Sequence, residues 1–207
     1  MPKAHNRRSH RSAHHGRYYR FKFTFVHFAA MIIVFGLIIA WWLTTTTNAA
    51  FPFVQSYSVL GKPTISADFI NRVLAHYQSP AAGKGQALYD DGVKYGIDPV
   101  YALAFFMHES SFGTTGVATV TRSLGNIRYS EGYQNYEGYR KYGTWEEGFK
   151  DWYWLISDQY VRQWGLTTVD QIIPVYAPSS DNNDVAAYVQ AVKNAVDTWR
   201  GGTVEIS

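Results

Sequence analysis

Residues 97–113, "IDPVYALAFFMHESSFG", constrain the fold more than any other stretch of this 207-residue chain. Asp98 suits an N-cap, Pro99 the first helical position and Gly113 the end, which predicts a helix of about fourteen residues. Wound as a helix, the run is apolar on almost every side. Such a helix cannot lie on a surface, so the other elements must pack around it. Yet it delivers one carboxylate, Glu109, just before the pattern breaks up in Ser, Thr and Gly. At 100° per residue, Ala102, Phe105 and Phe106 lie within about 60° of Glu109, so the acid emerges on an aromatic face.

That position has a chemical consequence. Desolvation and the negative end of the helix dipole both disfavour an ionised Glu109 and push its pKa upward. A carboxyl that keeps its proton near neutral pH is what general acid catalysis on a glycosidic oxygen requires. From the residues alone, Glu109 is equally a structural acid, satisfied by Arg122 or Arg128 or facing water at a frayed helix end. The neighbouring His108 suggests a zinc helix, but that motif needs a second His four residues on, where Phe112 stands. No metal and no cofactor are expected. His108 reads as a surface or capped histidine.

Further helices are expected around this one. "SADFINRVLAHY" has an apolar stripe at 69, 70, 73, 74 and 77, with Ser66 as N-cap. "GQALYDDGVKYG" continues in helix to a stop at Gly96. "TWEEGFKDWYWLISDQYV" has Thr144 as N-cap and acids in its first turn. "TTVDQIIPVYAP" predicts a short helix ending at Pro174, and "DVAAYVQAVKNAVDTWR" a last helix before Gly201. Between Thr114 and Tyr142, recurrent Gly and Tyr predict loops with short strands or a hairpin. Tyr129, Tyr133, Tyr136, Tyr139 and Tyr142, with Trp145, offer flat amphipathic faces for sugar rings, although a small lobe needs most of them for its own core. One or two are expected in a cleft.

The N-terminal quarter is different in kind. Residues 1–22 hold seven Lys/Arg and four His, and no acid precedes Asp68. The formal charge of the whole is +3, so the remainder carries twelve basic and sixteen acidic residues, or −4. The basicity belongs to a tail, which argues against a nucleic-acid-binding body. From Val26 to Leu43 only His27 is polar, and that run spans roughly 27 Å as a helix, near the thickness of a bilayer core. Trp41 and Trp42 suit a membrane interface, and the basic flank is expected to stay inside. The expected layout is a cytoplasmic tail (1–22), a transmembrane anchor (23–44), a Thr- and Pro-containing linker (45–64) and an extracytoplasmic domain (65–202). A cleaved signal peptide is the alternative for the apolar run. The chain contains no cysteine, which excludes thiolate nucleophiles and leaves the domain to its core alone.

Taken in order, "HESSFG", "SLGNIRY", "YRKYGTWEEGFKDWYWLI" and "YAPSSDNNDVAAYVQAV" resemble the lysozyme-like glucosaminidase family of bacterial peptidoglycan hydrolases. The resemblance covers about residues 65–200. It implies a lysozyme-like domain that cleaves the β-1,4 glycan strands of peptidoglycan. Together with the residue pattern and the apolar run, the expectation is a mainly α domain with a small irregular or β lobe, held at the cell membrane and acting as a monomer. It matches Glu109 to the catalytic glutamate, Asn126 to a glycan-facing turn and Tyr188 to a tyrosine near the cleft. Tyr129 and Tyr176 join these as expected substrate-binding residues. A second carboxylate is usual in glycoside hydrolysis. Glu131 is the first candidate and Glu137 the next, each otherwise an ordinary loop acid. A single-acid route also stands open, in which the substrate's own acetamido group or 6-hydroxyl attacks. A binding module of the same fold, without activity, is the rival from another class.

Overall fold

A computed structural model describes residues 57–206. The basic tail, the apolar run at 23–44 and most of the expected linker lie outside the described residues. Within them are seven α-helices and one two-stranded sheet: α1 (Ala67–His76), α2 (Gly85–Tyr95), α3 (Pro99–Ser110), α4 (Ala118–Thr121), β1 (Gln134–Tyr136), β2 (Tyr139–Lys141), α5 (Trp145–Trp154), α6 (Val169–Tyr176) and α7 (Val185–Arg200). The domain is mainly helical. Among the described residues no helix is long and apolar enough to cross a membrane.

The apolar helix takes the central place. Nine of the twelve residues of α3 are buried, and its chief partner is α7. Asp98 caps it by accepting from the Val100 amide at 3.2 Å. The same buried carboxylate also accepts from the Thr64 hydroxyl at 2.6 Å and from the Arg200 guanidinium at 3.0 Å. One side chain therefore ties the start of α3 to the domain's N-terminal segment and to the end of α7. Thr64 belongs to the residues expected as linker, and the structure corrects that boundary. Val59 is fully buried, the Val59 amide donates to the Thr167 carbonyl at 2.8 Å, and Ser58 and Leu60 bridge to Thr168 and Ile97. Residues 57–64 supply backbone partners and a core side chain, so they fold with the domain.

Three local features depart from expectation. Helix α3 stops at Ser111 rather than Gly113, and Ser111, Phe112 and Gly113 are all left-handed, with φ of 46°, 57° and 81°. Phe112 is a costly residue for that conformation. Its ring is fully buried, 5.5 Å from Tyr77 and 6.1 Å from Trp199 between centroids, which offsets the strain. Gly113 is needed for close approach as well, since a Cβ there would lie 2.7 Å from Leu124. Helix α6 runs through Pro174 to Tyr176, because Pro174 and Asp170, whose carbonyl loses its partner, both sit on the exposed side where water can serve it. Helix α5 continues as nine π-helical residues, Leu155–Gln163, which no feature of the sequence predicted.

The strands form an antiparallel hairpin pairing Gln134 with Lys141 and Tyr136 with Tyr139. Its tip, Glu137–Gly138, has positive φ at both residues, the backbone a tight hairpin turn demands. The Arg140 amide donates to Ile127, and the Tyr142 amide to Thr121, which fastens the hairpin to the segment after α3.

Candidate active site

The end of α3 opens into a cleft of about 500 Å3 lined by Glu109, Asn126, Arg128, Tyr129, Tyr139, Tyr160, Tyr176 and Asp181, among others. Ser110 fixes how the helix arrives there. Its hydroxyl donates to the Leu124 carbonyl at 2.8 Å and accepts from the Gly113 amide at 2.9 Å, so the chain turns away and leaves Glu109 at the rim.

Two neutral donors hold the Glu109 carboxyl. The hydroxyl of Tyr188, on the buried face of α7, donates to Oε1 at 2.6 Å. Asn126 donates through Nδ2 to the main-chain carbonyl of Glu109 at 2.7 Å and reaches Oε2 at 3.5 Å. Asn126 has φ of 45°, a left-handed conformation that asparagine accepts more readily than most residues. Its Oδ1 is buried without a hydrogen-bond partner. Burial pushes the Glu109 pKa up, and the bonds from Tyr188 and Asn126 and the charge of Arg128 only partly oppose it. Burial and the charge of Glu109 push Tyr188 well above the usual phenol range, so its hydroxyl stays a donor. The same two causes raise Tyr160 to about 12.

Among the described residues no arginine clamps the acid. Arg122 donates to the Gly143 carbonyl at 2.6 Å, and Arg128 pairs with Asp181 at 3.3 Å. His108 is exposed and stacks on Tyr188, ring centroids 3.6 Å apart. Among the described residues no group of three or more His, Asp or Glu side chains is placed to hold a metal ion.

The expected site residues divide. Glu109, Asn126, Tyr129 and Tyr176 all line the cleft, and Tyr188 stands behind Glu109. Tyr176 also shapes the floor. Its hydroxyl donates to the Gly125 carbonyl, and Gly125 admits no side chain, since a Cβ would lie 2.5 Å from Trp152. Glu131 does not join them. It lies exposed on the turn closed by the Tyr133 amide and the Ser130 carbonyl, outside the cleft lining, and Glu137 is exposed at the hairpin tip. Of the lobe's five tyrosines, Tyr129 and Tyr139 line the cleft, while Tyr133 and Tyr142 bond to Asp151. Sequence reasoning missed Asp181, the second acid of the cleft. It sits in the "DNND" segment that carried the resemblance, but only the fold brings it to Arg128.

This arrangement can donate a proton to a ligand in the cleft and offer flat aromatic walls to its rings. Compared with curated proteins, the chain matches none. It does match the family described as mannosyl-glycoprotein endo-beta-N-acetylglucosaminidase over residues 85–200, the span that holds α2 to α7 and every cleft residue named above. The chain belongs to this glucosaminidase family, and its domain is that of a glycoside hydrolase.

Proposed function

We propose that the protein is a peptidoglycan hydrolase held at the outer face of the cell membrane, with Glu109 as its general acid. The observation that carries this is a carboxyl whose pKa burial raises, bonded at 2.6 Å by the Tyr188 hydroxyl and at 3.5 Å by the Asn126 amide, at the rim of an aromatic cleft. The family supports cleavage of β-1,4 bonds in the glycan, at the glucosaminidase position. The apolar run at 23–44 and the basic flank support a single-pass anchor with the domain outside.

The cleft also favours one answer to the second catalytic group. Glu109 and Asp181 are the acids that line it, and Asp181 is engaged by Arg128. The substrate's acetamido oxygen then serves as the nucleophile. Glu109 gives its proton to the glycosidic oxygen, the bond from C1 to that oxygen breaks, and the acetamido oxygen bonds to C1. A water molecule next attacks C1, releases the acetamido oxygen and returns a proton to Glu109.

The test is clearing of purified peptidoglycan by the detergent-solubilised full chain, wild type against Glu109→Gln. The expected loss is about 10²- to 10⁴-fold, the usual worth of general acid catalysis. Equal clearing by both removes Glu109 from the role. A folded wild type that binds peptidoglycan and releases no sugar favours a binding module instead.

A further inference from the structure

Behind the hairpin lies a second groove, about 490 Å3 and as large as the cleft. Trp154 lines it and is 42 % exposed, which leaves part of its indole open to a ligand. Lys141 and Lys150 line it too, and among the described residues neither enters an ion pair. Lys141 lies over the Tyr136 ring at 5.7 Å, and the charge of Lys150 is felt by Asp91 at longer range. The groove's own acids are occupied. Glu147 accepts from the Gly143 amide at 2.8 Å, and Asp151 pairs with Arg140 at 2.8 Å. Residues 23–207 carry a net formal charge of about −4, yet this groove sets two ammonium groups without an ion pair among the described residues beside a partly exposed indole.

We propose that this groove is a second, non-catalytic binding site for a saccharide that carries carboxylates, and thus for another stretch of the peptidoglycan the cleft acts on. The inference rests on the proposed function for the identity of the polymer. An indole face takes the C–H side of a pyranose ring, the exposed Gln134 amide serves its hydroxyls, and the lysines serve lactyl or peptide carboxylates. The site is built rather than improvised. The Arg140–Asp151 pair forms a wall common to both cavities, with Arg140 on the cleft side and Asp151 on the groove side, and the Tyr133 and Tyr142 hydroxyls donate to Asp151. Glycan held here stays beside the cleft, which raises its local concentration there. The benefit falls on the insoluble polymer and not on short fragments that fill the cleft alone.

Two measurements on the full chain in detergent decide this. The first is binding to insoluble peptidoglycan in the Glu109→Gln background, with Trp154→Ala or with Lys141→Gln and Lys150→Gln together. Trp154→Ala is expected to weaken binding about ten-fold, the worth of one aromatic contact. The double lysine variant should do likewise on peptidoglycan but not on an uncharged N-acetylglucosamine polymer. The basic tail is common to all variants, so its attraction cancels. The second is hydrolysis by the same variants with Glu109 intact. Turnover of intact peptidoglycan should fall while that of a short soluble glycan stays unchanged. Unaltered peptidoglycan binding, or equal losses on short and long substrates, overturns the site. Equal lysine effects on charged and uncharged polymers overturn its preference for carboxylates. If the wild type cleaves nothing, the hydrolase proposal fails, and the binding measurement still decides the groove.

Discussion

Two carboxylates stand beside the same aromatic core, and their surroundings differ in one respect. Glu109 leaves α3 toward the cleft with a phenol and an amide as partners. Asp151, on α5, is met by the Arg140 guanidinium at 2.8 Å and by the hydroxyls of Tyr133 and Tyr142. Arg140 is itself only 7 % exposed, its guanidinium 4.1 Å from the Tyr133 ring. A full positive charge makes Asp151 a strut that fastens the hairpin to α5. Neutral donors orient Glu109 but leave desolvation to win, so its pKa rises. Asp151 is tied into an ion pair, while Glu109 is bonded by neutral groups and left free to face the cleft.

The contrast is broken most severely from the structural side. Asp151→Ala leaves the Arg140 charge buried and unpaired, and should cost about 3–5 kcal/mol of stability. Denaturant unfolding of the detergent-solubilised chain measures it, and a loss of less than about 1 kcal/mol would show that the pair is not a strut. On the other side, the effects are shifts in a pH profile. The Tyr188 hydroxyl favours the ionised form of Glu109, so Tyr188→Phe should raise its pKa further. A general acid works while protonated, and the alkaline limb of kcat/KM should therefore move to higher pH. Arg128→Gln should move the limb the same way but less, because its charge acts on Glu109 more weakly than the Tyr188 bond. A shift to lower pH in either variant would reverse the assigned signs.

Much of this was legible in the sequence, and the exceptions share a cause. The caps at Ser66, Asp98 and Thr144 were readable because capping is local, and each accepts from an amide within three residues. Glu109 could be placed on an aromatic face because helical periodicity alone decides which residues share a side. Asn126 and Tyr188 came from the resemblance, and the fold brings both to Glu109. Asp151 was passed over because an acid on an amphipathic helix usually faces water, and nothing local marks an arginine eleven residues away as its partner. Asp181 and Arg128, 53 residues apart, were invisible as a pair for the same reason. Glu131, on the irregular lobe, was the first candidate for a second carboxylate, but the turn after Tyr129 leaves it in solvent. The early stop at Ser111 escaped notice because glycine is the expected left-handed residue, and only the buried Phe112 ring explains the departure.

The most direct measurement is a carbon-13 NMR titration of the Glu109 carboxyl in the full chain, assigned by the resonance that vanishes in Glu109→Gln. The account predicts a midpoint clearly above the ordinary glutamate value of about 4.3. A midpoint at or below that value would mean that the helix end presents a charged carboxylate, and the proton for the glycosidic oxygen would have to come from elsewhere.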